Sequence, residues 1–164
     1  MSATKPYHVV GGRGGSYKTG RRVTSALDMS VAEVSITSAE LLALRATPKT
    51  IVAAQGAGKM IVFHQAVILA DNGTAYVVGT NDVAFRMANT TGDIVSQTID
   101  TAGLLDSTSD IVSFVGSIGT DTKSPKADVE NTALVLHNTG ASELTTGTGV
   151  VRVKCWYSVI TTGW

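Results

Sequence analysis

The chain has 164 residues, 43% apolar and only 16% charged, with a formal net charge of zero. A chain of this length makes one domain and hides about two-thirds of its unfolded surface, enough for a real core. The low charged share is filled by 22 Thr and 14 Ser; that composition argues against a helical bundle and for sheet. The lone cysteine, Cys155, excludes an internal disulfide and suggests a reducing compartment of synthesis.

Charge is unevenly placed. The first 22 residues hold Lys5, Arg13, Lys18, Arg21 and Arg22 and no acid, so the rest of the chain carries −5. A basic segment on an acidic body suits an acidic partner. No apolar run reaches 18 residues, so no membrane span is expected. The start has no apolar core of signal-peptide type.

Residues 1–35 read as an extended arm. The stretch from Gly11 to Arg22 is Gly-rich and basic, with too little apolar surface to offset its ordering entropy. Next comes a helix. Thr37 and Glu40 fit a capping box, Leu41, Leu42 and Leu44 follow, and Pro48 ends it. Two turns cannot dominate a fold.

After Pro48 the pattern turns to strand. Expected strands are 50–54, 59–70, 75–78, 83–88, 94–99, 111–118 and 132–138. The run from Lys59 to Ala70 is almost continuously apolar, so both of its faces read as covered. Asp71-Asn72-Gly73 marks a turn. Asn72 and Asn89 match the glycosylation pattern but read as turn residues. A helical turn is expected at 102–106 and a polar loop at 119–126. The last strand alternates: Val151, Val153, Cys155, Tyr157 and Val159 on one face, Arg152, Lys154, Trp156, Ser158 and Ile160 on the other. Seven or eight strands punctuated by turns predict an antiparallel β-sandwich or jelly roll over residues 36–164, with one short helix and the extended N-terminal arm.

Catalytic constellations fail one by one. Gln55-Gly56-Ala57-Gly58-Lys59 looks like a phosphate loop, but Ala53 stands where the leading Gly belongs and Met60 where a Ser or Thr would hold magnesium. The loop also joins strand to strand, with no helix N-terminus to receive phosphate. In Gly12–Thr19, Tyr17 replaces the required Gly. His8, His64 and His137 lack companions at ligand spacing. Gly116-Ser117-Ile118-Gly119 misses the nucleophile-elbow spacing. Cys155 falls on the apolar face of its strand, where an inert thiol is expected. The Asp residues sit mostly in turns. The chain reads as a non-enzyme without metal or cofactor. Tyr7 and Tyr17 are the arm's only stacking groups, so no specific nucleic-acid site is expected. Candidate interface residues are Tyr7, Arg13, Tyr17, Lys18, Arg21 and Arg22 in the arm, and Trp156 and Trp164 at the other end, since Trp is enriched at interface hot spots.

One resemblance stands beside this reading. The chain from Ile36 to Ile61 has a short Leu-rich helix, then Ala46-Thr47-Pro48, Thr50, and Val52-Ala53-Ala54 running into Gly56-Ala57-Gly58-Lys59. A strand follows and ends at Gly73-Thr74-Ala75-Tyr76. Later come Thr101–Asp106 and Val151–Tyr157. Together these resemble capsid decoration, or cement, proteins of tailed bacteriophages. The resemblance covers residues 36–160 and leaves the arm outside. It implies a β-sandwich body, commonly a trimer, on the outside of the virion capsid, where it bridges major capsid subunits. Such a protein is made in the host cytoplasm, and no site residues transfer with the pattern. The alternatives are a tail or fibre component and a carbohydrate-binding jelly roll.

Overall fold

A computed structural model describes residues 29–119 and 123–163. Eight strands form two four-stranded antiparallel sheets. The strands are β1 (Ser30–Ile36), β2 (Lys49–Val52), β3 (Lys59–Asp71), β4 (Asp82–Met87), β5 (Ile99–Asp100), β6 (Ile111–Gly116), β7 (Leu134–Asn138) and β8 (Val150–Thr161). One sheet has the order β1-β8-β3-β6 and the other β2-β7-β4-β5. Within each sheet β1 pairs with β8, β2 with β7, β3 with β6 and β4 with β5. That is a long antiparallel ribbon, its first half laid along its second, rolled into two layers. It is the jelly-roll topology.

The layers meet through an apolar core. Phe63 of β3 and Phe85 of β4 stack across it with ring centroids 4.9 Å apart, and Ile36, Leu41, Ile68 and Leu136 are fully or nearly fully buried around them. Between β1 and β2 lies α1 (Ser38–Leu42). Its capping box is complete: the Thr37 amide donates to Glu40 Oε2 at 2.8 Å, and the Glu40 amide donates to Thr37 Oγ1 at 3.4 Å. Lys49 adds an ion pair to Glu40. These contacts hold the Glu40 carboxyl down at about 2, the Lys49 contact being the largest cause.

Several expectations change. Residues 30–35, assigned to the arm, belong with Ile36 to β1 and pair with β8 from Ser30↔Tyr157 to Ile36↔Val151. Their alternation was hidden by the polar Glu33 and Ser35, which face solvent. The expected strand at 75–78 is a single bridge, Val77↔Thr145, and the one at 94–99 shrinks to β5 plus bridges at Ile94 and Ser96. The loop expected at 119–126 is irregular at its described residues up to Pro125 and runs into a second helical turn, α2 (Lys126–Val129).

β3 is not covered on both faces. A β-bulge between Phe63 and Gln65 inserts His64 opposite β8, which shifts the alternation by one residue. Ile61 and Phe63 point inward before the bulge; Ala66, Ile68 and Ala70 do so after it. Two half-length alternations in opposite phase look like one continuous apolar run. β8 keeps its phase through the bulge, with Tyr157 opposite inward Phe63 and Val159 opposite inward Ile61, but burial does not follow that phase to its end. Val151, Val153 and Cys155 are buried as expected, but beyond them Ser158 is buried and Val159 is exposed.

Candidate interaction surface

The outward residues of the β1-β8-β3-β6 sheet fall into three cross-strand rows. They run Val31–Trp156–Gln65–Gly116, then Glu33–Lys154–Val67–Phe114, then Ser35–Arg152–Leu69–Val112. Phe114 is 80% exposed, Val112 50% and Val31 46%; Trp156, Val67 and Leu69 are half-buried. The charges on this face are paired within the chain. Lys154 Nζ lies 2.7 Å from Glu33 Oε1, and Arg152 reaches Asp71 Oδ2 at 2.9 Å. The result is a neutral, partly apolar sheet face with an aromatic ring standing on an edge strand. An exposed apolar surface of this kind is a candidate interaction site.

The outer face of the other sheet is different. β7 is buried along its whole length. His137 closes this side: its Nε2 lies 3.1 Å from the Arg45 carbonyl oxygen, and its Nδ1 lies 3.5 Å from an Arg86 guanidinium nitrogen. Arg86 also donates to the Thr90 carbonyl and Arg45 to the Gly140 carbonyl. Glu143 accepts from the Arg45 and Ala46 amides at 2.9 and 2.7 Å. Burial, with the two guanidinium groups, pushes the His137 pKa down; the Arg45 hydrogen bond opposes that shift. The neutral ring is a structural clasp.

An open groove of about 770 Å³ runs between the sheets where they part. Met60, Phe63, Met87, Ile94, Ile118 and Val129 line it, with His64 at its wall. His64 Nε2 is 3.0 Å from Ser158 Oγ, which accounts for the buried serine.

The look-alike phosphate loop is occupied by the chain itself. Gly56 and Gly58 have φ of +94° and +74°, a region only glycine enters freely. Their amides donate to Asn131 Oδ1 at 2.9 Å and Glu130 Oε1 at 3.0 Å. Hydrogen bonds from Thr162 and the Gly58 amide, then Lys126, hold the Glu130 carboxyl below its ordinary value. A carboxylate of the protein sits where a phosphate would need these donors. Cys155 is fully buried, and burial pushes its thiol up to about 12, so it stays protonated and unreactive. Asp106 accepts from the Gly103 amide and Asn89 from the Thr91 amide at 3.0 Å, both turn contacts, while Asp110 accepts from the Asn72 amide at 3.1 Å across 38 positions and ties two loops together. Among the described residues, no three His, Cys, Asp or Glu side chains gather as a metal site.

Of the interface residues expected from sequence, Trp156 is on the outer sheet face, half-buried between Val31 and Gln65. Tyr7, Arg13, Tyr17, Lys18, Arg21, Arg22 and Trp164 lie outside the described residues, as does His8. Sequence reasoning missed Phe114 and Val112. Their signal is an inverted alternation in β6: Ser113 pairs with buried Ile68 while Phe114 pairs with outward Val67.

No family model matches the chain, and no curated protein matches it.

Proposed function

We propose that this chain is a virion structural protein: a decoration, or cement, protein that binds the outer capsid surface of a tailed bacteriophage as a homotrimer and bridges major capsid subunits. The observation that carries the reading is the bare outer face of the β1-β8-β3-β6 sheet, with Phe114 80% exposed on its edge strand. A sandwich with one partly apolar face that no described residue covers is suited to assembly. The motif pattern across residues 36–160 supplies the kind of assembly. The five cations of residues 1–22 add attraction to an acidic shell. Several weak contacts made together gain roughly 10²–10⁴ in avidity where the geometry fits.

The test is co-sedimentation of purified protein with undecorated capsids, counting bound copies. Saturation at a multiple of three per facet is expected. Absence from capsids, with the protein found at low copy number in isolated tails, replaces this reading with a tail or fibre role. Removing residues 1–28, which leaves β1 whole, is expected to weaken capsid binding and leave the sandwich folded.

A further inference from the structure

The outer face of the β1-β8-β3-β6 sheet carries both a knob and a socket. The knob is Phe114 on β6. The socket is a depression of about 330 Å³ that begins at Val67, the cross-strand neighbour of Phe114, and runs across β8 to β1, lined by Glu33, Ser35, Val67, Leu69, Arg152 and Lys154. Its floor is open because the two cations are drawn apart. Lys154 leans to Glu33 on β1, and Arg152 leans to Asp71 at the end of β3. That leaves Val67 and Leu69 between two cationic walls. An aromatic ring suits such a place, since its edge and face meet apolar side chains while the nearby cations interact with its π-system.

We propose that Phe114 of one copy seats in this socket on a second copy of the chain. Side chains stand roughly perpendicular to a sheet, and a ring that is 80% exposed is not lying on its own neighbours. Phe114 therefore does not fill the socket of its own chain. The face opposes no like charge to itself, because Glu33 and Asp71 match Lys154 and Arg152 one for one. Knob and socket are different residues, so one contact repeated head to tail closes a ring or runs on as a filament, while a face-to-face pair seats two knobs at once. The ring of three rests on the proposed function; the contact itself does not.

The size of the face sets the strength. β1 has seven residues and β6 six. At about 3.3 Å per residue and ~4.8 Å between strands, the four-stranded part covers roughly 400 Å² per copy. Two such faces make roughly 800 Å², half the ~1,600 Å² of a standard interface. Self-association in solution is accordingly weak and concentration-dependent, and becomes strong where copies are held side by side.

The contact is tested by mixing Phe114→Cys and Ser35→Cys variants under mild oxidation. Ser35 is exposed at the socket rim, and buried Cys155 stays out of the chemistry. The mixture should give a disulfide-linked pair that neither variant gives alone. A pair formed by the Phe114→Cys variant alone overturns the proposal. In parallel, sedimentation velocity of Phe114→Asp should show self-association weakened about tenfold or more with unchanged thermal unfolding, the size expected for an aromatic hot spot. Unchanged association sinks the contact. Capsid co-sedimentation of the wild-type protein separates the two ideas: a Phe114-dependent pair without capsid binding keeps the contact and removes the decoration role, and capsid binding by a protein whose self-association ignores Phe114 does the reverse.

Discussion

The two outer faces of the sandwich differ in how they are finished. Over β7 and β4 the chain covers itself: His137, Arg45, Arg86 and Glu143 bind backbone or one another, and every residue of β7 is buried. Over β8, β3 and β6 the chain leaves Val31, Val112 and Phe114 exposed. A buried polar group must find its partner within the fold, because leaving it unpaired costs about 1–3 kcal/mol. An exposed apolar group carries no such obligation. One face is therefore largely satisfied within the chain, with Arg86 Nε the one buried side-chain nitrogen or oxygen left unpaired among the described residues, and the other is available to a neighbour.

The largest loss is expected where both sheets depend on one side chain. Phe85 is fully buried and stacks on Phe63 of the opposite sheet. Phe85→Ala should cost about 3–5 kcal/mol, read by urea unfolding. A loss below 1 kcal/mol would mean that the sheets are not packed through these rings.

Next comes the clasp. His137→Phe leaves the Arg45 carbonyl and the Arg86 guanidinium without their ring partner, at about 1–3 kcal/mol. It also has a pH signature. The folded pKa of His137 lies below 6.5, so the unfolded chain binds more protons in the window between the two values. Stability is then lost as pH falls through 6.5 towards the folded value and levels off beneath it. The wild-type melting temperature should fall in that window and the His137→Phe variant should not. An identical slope in both would assign the effect to other groups. Glu40 acts in a separate, more acidic window. Its folded value of about 2 is below the ordinary 4.5 of a free glutamate, so its contribution is present above 4.5 and lost between 4.5 and about 2.

Thr37→Ala is a smaller change. It removes one capping hydrogen bond from α1, worth about 1 kcal/mol. Urea unfolding should show that loss and leave the pH dependence through 6.5 intact.

The completed face and the bare face were unequally legible in the sequence. Capping by Thr37 and Glu40 is local chemistry and could be read directly. The inward set Val151, Val153 and Cys155 follows from period two alone. The bulge at His64 could not be read, because its only trace is a phase change inside an unbroken apolar run. β1 reads as arm in the sequence because its inward set is only Ala32, Val34 and Ile36 and a Gly-rich stretch precedes it. Trp156 was placed on the outer face by alternation. Phe114 was not, because whether it or Ser113 faces the core depends on which residues of β3 they oppose, and pairing across about 45 residues leaves no local signal. The clasp was missed for the same reason: Arg45 and His137 are 92 positions apart.

The smallest effect on stability is expected at the most conspicuous side chain. Phe114 is 80% exposed, so Phe114→Ser removes almost no area that folding has buried and should change unfolding free energy by less than about 0.5 kcal/mol. The contrast with Phe85→Ala is the sharpest form of the comparison: the same residue type between the sheets and on an outer face of one sandwich, one holding the fold and one left outside it. A large destabilisation by Phe114→Ser would mean that the ring is packed within its own chain, and the outer face would then be as self-sufficient as the one His137 closes. Stability unchanged to within that margin keeps the ring free for a second molecule.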